Sequence, residues 1–477
     1  MQRITPERPW PLHGTAATRA LEQRAAAALP AHALMQRAGL AVARLAMAVA
    51  PHARTVWIAC GPGNNGGDGM EAALHLRQWG KDAVVTWPGD AARLPPDAQA
   101  SLRRAQDGGV TFSRQPPADW DLGVDALLGL GAARPPEEPL RGWLAALQAR
   151  GGPLVAVDLP TGLDADTGQG AALRATHTLS LLTLKPGLFT GTGRDAAGEL
   201  WFDDLGVEDD AVHGTATLTG RGTATPRLHA SHKGSYGDVA VLGGATGMAG
   251  AALLAASAAI HGGAGRVFDA LLGGAGLSAN SAQPELMFRA WESLALDAMT
   301  VACGCGGADA VRQVLPKVLS TAPRLVLDAD ALNAIAADTQ LQTLLQARAR
   351  RHHRATVLTP HPLEAARLLG SSTAEVQADR LAAALALVKK FGCTTVLKGS
   401  GTVIAAPGEP PAINPTGNAR LATAGTGDVL AGMVAARLAA GTPAFSAACD
   451  AVWAHGWAAD CWPGDEALTA AALARRA

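Results

Sequence analysis

The sequence predicts an α/β protein built from two doubly wound domains. Three observations predict it. Apolar runs of strand length alternate with segments of helical apolar spacing along most of the chain, the pattern of a mostly parallel sheet covered by helices. At 477 residues the chain exceeds what one ordinary core organises. Each half also carries its own glycine-rich turn, Gly61–Gly69 and Gly425–Gly427, with no repeat of sequence between them.

In order, Leu34–Val49 has helical spacing, and strands are expected at Thr55–Cys60, Ala83–Trp87, Leu122–Ala126, Leu154–Asp158 and Thr178–Thr183. Helices fit at Met70–Trp79, Pro96–Ala105 and Leu140–Arg150. Residues 211–228 have little apolar periodicity and read as the linker, so the expected domains are 1–215 and 226–477. A second series then runs through a strand at Asp238–Leu242 and a helix of small residues at Ala249–His261. Strands follow at Met299–Ala302, Arg324–Asp328, Ala355–Leu358, Thr394–Lys398 and Val403–Ala405, and a long helix starts near Gly427.

Composition narrows the function. Hydrophobic residues make up 48% and charged residues 17%, which is globular. With a net charge of -1 and no basic block, nucleic acid is not an expected partner. The longest apolar stretch, Ala249–Ile260, is too short to span a bilayer, so no membrane is expected either. Residues 1–10 lack an apolar signal core, and six scattered cysteines fit a reducing compartment, so the expected location is the cytoplasm. Cys303 and Cys305 flank Gly304 without a second Cys/His pair, and no zinc site is expected there.

The Gly61–Gly69 segment reads Gly-Pro-Gly-Asn-Asn-Gly-Gly-Asp-Gly after an apolar run. Its glycines are expected to take positive φ and approach a ligand, with the helix after Gly69 aiming free amides at an anion. Gly61, Gly63 and Gly66 satisfy G-x-G-x-x-G, a weak fingerprint alone. Asn64, Asn65 and Asp68 make the loop more specific, because they grip hydroxyls, an amide or a monovalent cation. Two further turns follow strand ends, around Asp125 and around Asp158–Thr161. The carboxylate of Asp125, the amide oxygen of Asn65 and the hydroxyl of Thr161 are hard oxygen ligands that suit K⁺ or Na⁺. Asp158 is a candidate general base. Each acid alone also fits simple turn capping.

Leu34–Gly39 (Leu-Met-Gln-Arg-Ala-Gly), Gly61–Gly69, Val124–Gly129 and Asp158–Gly162 together resemble the NAD(P)H-hydrate epimerase family over roughly residues 15 to 210. That resemblance implies a Rossmann-like domain interconverting the R and S hydrates of NADH and NADPH at nicotinamide carbon 6. It implies nucleotide contacts from Asn64, Asn65, Gly66, Gly67, Asp68, Gly129, Leu130, Gly131, Ala132, Ala133 and Arg134, with Asp158 handling the proton. It implies K⁺ at Asn65, Asp125 and Thr161, where Thr161 replaces the family's more usual Ser.

In the second half, Gly425–Gly427 would form a nest of amides at a helix start, suited to a phosphoryl group. Asp428 on the first turn could take a proton from a substrate hydroxyl, although an acid there also simply favours the helix dipole. Lys398–Thr402 (Lys-Gly-Ser-Gly-Thr) follows a strand and fits a nucleotide, though no P-loop occurs. Thr359–Pro362 offers the imidazole of His361, while His352 and His353 read as surface. With His232–Gly234, Gly250–Ala252 and Asp328–Asn333, these motifs resemble the ADP- or ATP-dependent NAD(P)H-hydrate dehydratases, over roughly residues 226 to 465.

The second resemblance implies a ribokinase-like fold, with Ala251, Gly306, His361 and Asp428 on the hydrated nucleotide. It implies Lys398, Gly399, Ser400, Gly401, Thr402 and Gly427 on ADP, with Mg²⁺ accompanying the nucleotide. Leu363 stands where the family has Gly, and Gly304–Gly307 (Gly-Cys-Gly-Gly) replaces Gly-Pro-Gly-Leu. The combined expectation is a bifunctional repair enzyme with catalytic Asp158 and Asp428, associating as a homo-oligomer. The alternatives are a small-molecule kinase of vitamins or sugars in the second half, and a non-catalytic nucleotide-binding module in the first.

Overall fold

In the computed structural model the chain divides into two compact units, residues 1–5 with 10–217, and residues 6–9 with 218–477. Residues 131–135, 208–213, 223–226, 275, 276, 352 and 353 lie outside the described residues.

Among the described residues the first unit carries seven parallel strands, β1 (Thr55–Cys60), β2 (Asp82–Thr86), β3 (Thr111–Ser113), β4 (Leu122–Ala126), β5 (Leu154–Val157), β6 (His177–Leu181) and β7 (Glu199–Asp203). Their spatial order is β3-β2-β1-β4-β5-β6-β7, with an antiparallel edge strand, Gln2–Arg3, beside β7. This is the Rossmann order, and the chain reverses direction between β1 and β4. Both sheet faces are covered. Val56, Ile58 and Cys60 of β1 join the core on one face, and Trp57 and Ala59 join Trp143 and Leu147 on the other.

The second unit repeats the plan with β8 (Asp238–Gly243), β9 (Arg266–Leu271), β10 (Met287–Phe288), β11 (Thr300–Cys303), β12 (Arg324–Leu327), β13 (Ala355–Leu358), β14 (Thr394–Leu397), β15 (Val403–Ala405) and β16 (Ala412–Ile413). The order is β10-β9-β8-β11-β12-β13-β14-β15-β16. Pairing is parallel as far as β14 and antiparallel beyond it, which agrees with the ribokinase-like expectation. Ala240 and Leu242 face one core, Val239 and Val241 the other. The alanine-rich helix Ala249–His261 packs closely on helix Thr426–Ala439: a Cβ on Gly432 would sit 2.0 Å from the Ala255 carbonyl oxygen. Among the described residues, no helix is long and apolar enough to cross a membrane.

The structure corrects several expectations. The helix expected after Gly69 already begins at Asn64, so Asn64–Gly69 is its first turns and not a loop. None of Gly61, Gly63, Gly66, Gly67 and Gly69 has positive φ. Their missing Cβ atoms make room for protein: one on Gly61 would lie 1.7 Å from the Leu127 carbonyl oxygen, and one on Gly66 would lie 2.1 Å from that of Gly61. Ala216–Leu218, inside the expected linker, is a strand with both ends buried. Strands β7 and β9 were not anticipated, because β7 is short and charged at both ends and Asp269 interrupts the apolar run of β9.

Candidate active sites

The reversal between β1 and β4 opens a cavity of about 510 Å³. Asn64, Asn65, Asp68, Leu127, Leu128, Gly129, Leu130, Asp158 and Lys185 contribute to its lining. Of the expected nucleotide contacts, Gly66 and Gly67 instead pack inward, Gly66 against Gly61 and Gly67 against Met35. Gly131, Ala132, Ala133 and Arg134 lie outside the described residues.

Asp158 follows β5 and adopts φ +65°, a left-handed conformation that a non-glycine residue holds at a cost of order 1–3 kcal/mol. Its carboxylate accepts from the Leu181 amide (3.1 Å) and forms an ion pair with Lys185. The Lys185 ammonium also donates to the Leu181 carbonyl (2.7 Å), and its side chain is 1% exposed. Lysine 185 was not anticipated as a site residue. The available signal was a single charge inside the apolar run Leu179–Phe189.

Asp125, fully buried near the end of β4, accepts from the Thr161 hydroxyl (2.7 Å), the Thr161 amide (2.8 Å) and the Leu127 amide (3.2 Å). The Thr161 hydroxyl in turn accepts from the Leu128 amide (3.0 Å). Burial pushes the Asp125 carboxyl up to about 6 against those bonds. Asn65 packs against Gly129, and its amide nitrogen is buried without a hydrogen-bond partner. The three expected cation ligands therefore meet around the Asp125–Gly129 turn. Burial, and then the charges of Asp158, Glu22, Glu71 and Asp97, push the Asp68 carboxyl well above the usual range.

In the second unit Ala251 and Gly306 meet beyond β8 and β11, while His361 follows β13 and Lys398–Thr402 follow β14. A Cβ on Gly306 would lie 2.9 Å from the Ala251 Cβ. One residue earlier, the Cys305 thiol, an Asp328 oxygen and an Asp428 oxygen all lie within 4.8 Å of one another. Asp428 occupies the first turn of helix Thr426–Ala439, whose cap Gly425 has φ +89°. Burial, and then Asp328, push the Asp428 carboxyl up to about 6, while a hydrogen bond with the Cys305 thiol works the other way.

Lys398 follows β14, and its side chain is partly buried. Its ammonium donates to Asp328 (2.7 Å) and lies near Gly427. Burial works against that ammonium, but Asp328 and Glu364 hold it above its ordinary value. Gly399 (φ +146°) backs onto the buried Arg380 guanidinium, which donates to the Leu397 and Lys398 carbonyls. Gly399 and Ser400 are exposed, and the Thr402 hydroxyl closes the turn on the Gly399 carbonyl (3.1 Å).

His361 caps helix Pro362–Leu369. Its Nδ1 accepts from the Leu363 amide (3.1 Å), while Glu364 accepts from the His361 amide (2.8 Å). Buried His455 bonds the Thr426 carbonyl beneath the Asp428 helix, and sequence reasoning did not find it. No spacing rule links it to that turn.

Comparison with known proteins finds relatives of both units. Residues 239–476 match the family model described as NAD(P)H-hydrate dehydratase, and residues 31–187 match that described as YjeF-related protein N-terminus. The bifunctional NAD(P)H-hydrate repair enzyme Nnr of Escherichia coli (strain K12) is 38% identical over 91% of this chain and 85% of its own length. The enzyme of that name from Vibrio cholerae is 38% identical over 90% of this chain and 88% of its own. A crystal structure of the ADP/ATP-dependent NAD(P)H-hydrate dehydratase from Bacillus subtilis is 32% identical, with a TM-score of 0.46 over 53% of this chain and 92% of that one. With paired α/β units, an aspartate at the carboxyl edge of each sheet and relatives aligned over nearly its whole length, this chain belongs to the family of bifunctional NAD(P)H-hydrate repair enzymes.

Proposed function

We propose that epimerisation occupies residues 1–215 and dehydration residues 226–477, with hydrated NADH and NADPH as substrates and ADP or ATP as co-substrate. One observation carries this division. Each unit sets one aspartate at the carboxyl edge of its parallel sheet beside a lysine–aspartate ion pair, Asp158 within its pair with Lys185 and Asp428 beside Lys398–Asp328.

In the first unit Asn64, Asn65, Asp68, Gly129 and Leu130 hold the nucleotide, and Asp158 exchanges the proton at the hydrated carbon. Asn65, Asp125 and Thr161 fit K⁺: the donors are all hard oxygens, and no cationic side chain is among the bonds described for Asp125. When bound, K⁺ would supply fixed positive charge beside the nucleotide.

In the second unit Ala251, Gly306 and His361 flank the hydrated ring. Lys398, Gly399, Ser400, Gly401, Thr402 and Gly427 surround the adenine nucleotide, and Mg²⁺ bound with it would offset the phosphate charge. Asp428 takes the proton of the S hydrate hydroxyl as the terminal phosphoryl group moves to that oxygen. Phosphate then leaves carbon 6 with its bonding electrons, carbon 5 loses a proton, and the ring double bond returns. From ADP the products are AMP, phosphate and the dihydronicotinamide. The setting is the cytoplasm, supported by six cysteines that are all free. A homo-oligomer is proposed on the family resemblance alone.

The test is to incubate the purified chain with mixed NADH hydrate epimers and ADP while following dihydronicotinamide absorbance. Both epimers should convert fully. Conversion of the S fraction alone would remove the first activity, and a stable phosphorylated product would favour the kinase reading.

A further inference from the structure

Epimerisation at a carbon that bears a hydroxyl and is bonded to the ring nitrogen has a simple chemical route. The nitrogen electron pair forms a C=N bond as the C–O bond breaks, and the hydroxyl leaves as water once it gains a proton. Water then adds to the other face of the carbon and loses a proton, while the electron pair returns to nitrogen. The route asks for two proton-transfer groups, one to donate as the hydroxyl leaves and one to accept as water returns. The reading above supplies one, Asp158.

We infer that Glu22 is the second, a proton donor to the departing hydroxyl from a different wall of the same cavity. Glu22 lies on helix Thr15–Ala28, ahead of the residues matched by the YjeF-related model. Thr18, Glu22 and Ala26, spaced four apart on one helix face, all line the cavity together with Arg19. The helix is fixed at both the entry and that face. The Thr15 amide donates to Asp166 (2.7 Å), and the Thr18 and Thr183 hydroxyls bond each other (2.8 Å) two residues before Lys185. One turn beyond this anchor, the Glu22 carboxyl enters the cavity that holds Asp158 and Lys185.

The surrounding charges divide the labour. Burial and then Asp158 push the Glu22 carboxyl up; Lys185 and Arg19 pull it down, and Asp97 adds to the rise, with the net shift upward. Asp68, also in the lining, is itself pushed up. Asp158 instead sits in its ion pair with Lys185. Two carboxyls that reach one cavity from different walls, one on a helix and one held by a lysine, are placed for opposite halves of one proton exchange. For one direction the Glu22 proton goes to the leaving oxygen and the incoming water's proton to Asp158; solvent exchange resets both, and the reverse direction starts from the opposite protonation.

This inference rests on Asp158 being the epimerase base, and the experiment separates the two. In the full-length chain Glu22→Gln should lower R-to-S exchange by about 10²- to 10⁴-fold. S hydrate repair with ADP should be unchanged, R hydrate binding by calorimetry should stay within threefold, and the alkaline fall of the exchange profile should vanish. Glu22→Asp should regain part of the rate. Exchange by Glu22→Gln within threefold of the parent would overturn the inference, as would a loss of exchange matched by a loss of binding. An inactive Asp158→Asn beside a fully active Glu22→Gln would reject Glu22 alone. Full activity in both would reject the base as well.

Discussion

Lys185 and Asp158 meet as a nearly dry ion pair clasped by a single residue, Leu181, whose amide donates to the carboxylate and whose carbonyl accepts from the ammonium. The pair therefore holds Asp158 in its left-handed backbone conformation while presenting the carboxylate to the cavity.

Breaking that pair has a separable signature. Lys185→Met should cost at most about 3–5 kcal/mol of stability, because it strands a carboxylate that is largely but not fully covered. Pairing it with Asp158→Asn should recover much of that loss in a denaturant titration. Epimer exchange should stay at least about 100-fold down in the double variant. Recovery of exchange together with stability would show that neither side chain handles the proton.

Asp428 sets an acid limit on dehydration. As a base it must be deprotonated, and its carboxyl is pushed up to about 6, so S hydrate repair should fall about tenfold per pH unit below that point. Asp328→Asn removes a raising charge and should shift the limb to lower pH. Cys305→Ala removes a bond that favours the carboxylate and should shift it to higher pH. Shifts of the opposite sign in initial-rate profiles would contradict this electrostatic account.

Thr161→Val deletes both the donor to Asp125 and the acceptor for the Leu128 amide. Losing one bond to a buried carboxylate costs about 1.5–3 kcal/mol. If the proposed K⁺ site exists, the variant should need more K⁺ for half-maximal exchange, while S hydrate repair should not respond. Identical K⁺ titrations of variant and parent would remove Thr161 from the ligand set.

Gly432→Ala should destabilise the second unit by about 1–3 kcal/mol, since the new methyl meets the Ala255 backbone at 2.0 Å and backbone cannot swing aside. Melting followed by Trp fluorescence checks it. An unchanged midpoint would mean that the two helices separate at little cost.

The fold was legible wherever apolar period and turn chemistry agreed. Strands β1, β4, β13 and β15 and helix Ala249–His261 fall at their expected bounds. It was illegible where a polar residue sits inside a strand, as Asp269 does in β9, or where local sequence resembles a linker, as at Ala216–Leu218. In the sites, residues next to glycine turns could be named from motifs. Lys185 and His455 could not, because each is brought to its turn by tertiary packing that spacing does not encode. The Lys398–Asp328 ion pair was also out of reach: a lysine after a strand suggests phosphate, and only folding reveals the carboxylate beside it.

The crowding at Gly61 and Gly66 carries a lesson for anyone mapping this enzyme by saturation mutagenesis. Even alanine would be rejected at both positions because the chain collides with itself, at 1.7 Å and 2.1 Å respectively. A sensitivity map would paint those glycines as brightly as the residues that touch the coenzyme. Loss of function there would report a failed fit between two stretches of main chain, and the true contact surface would have to be sought among neighbours that tolerate a methyl yet still lose binding.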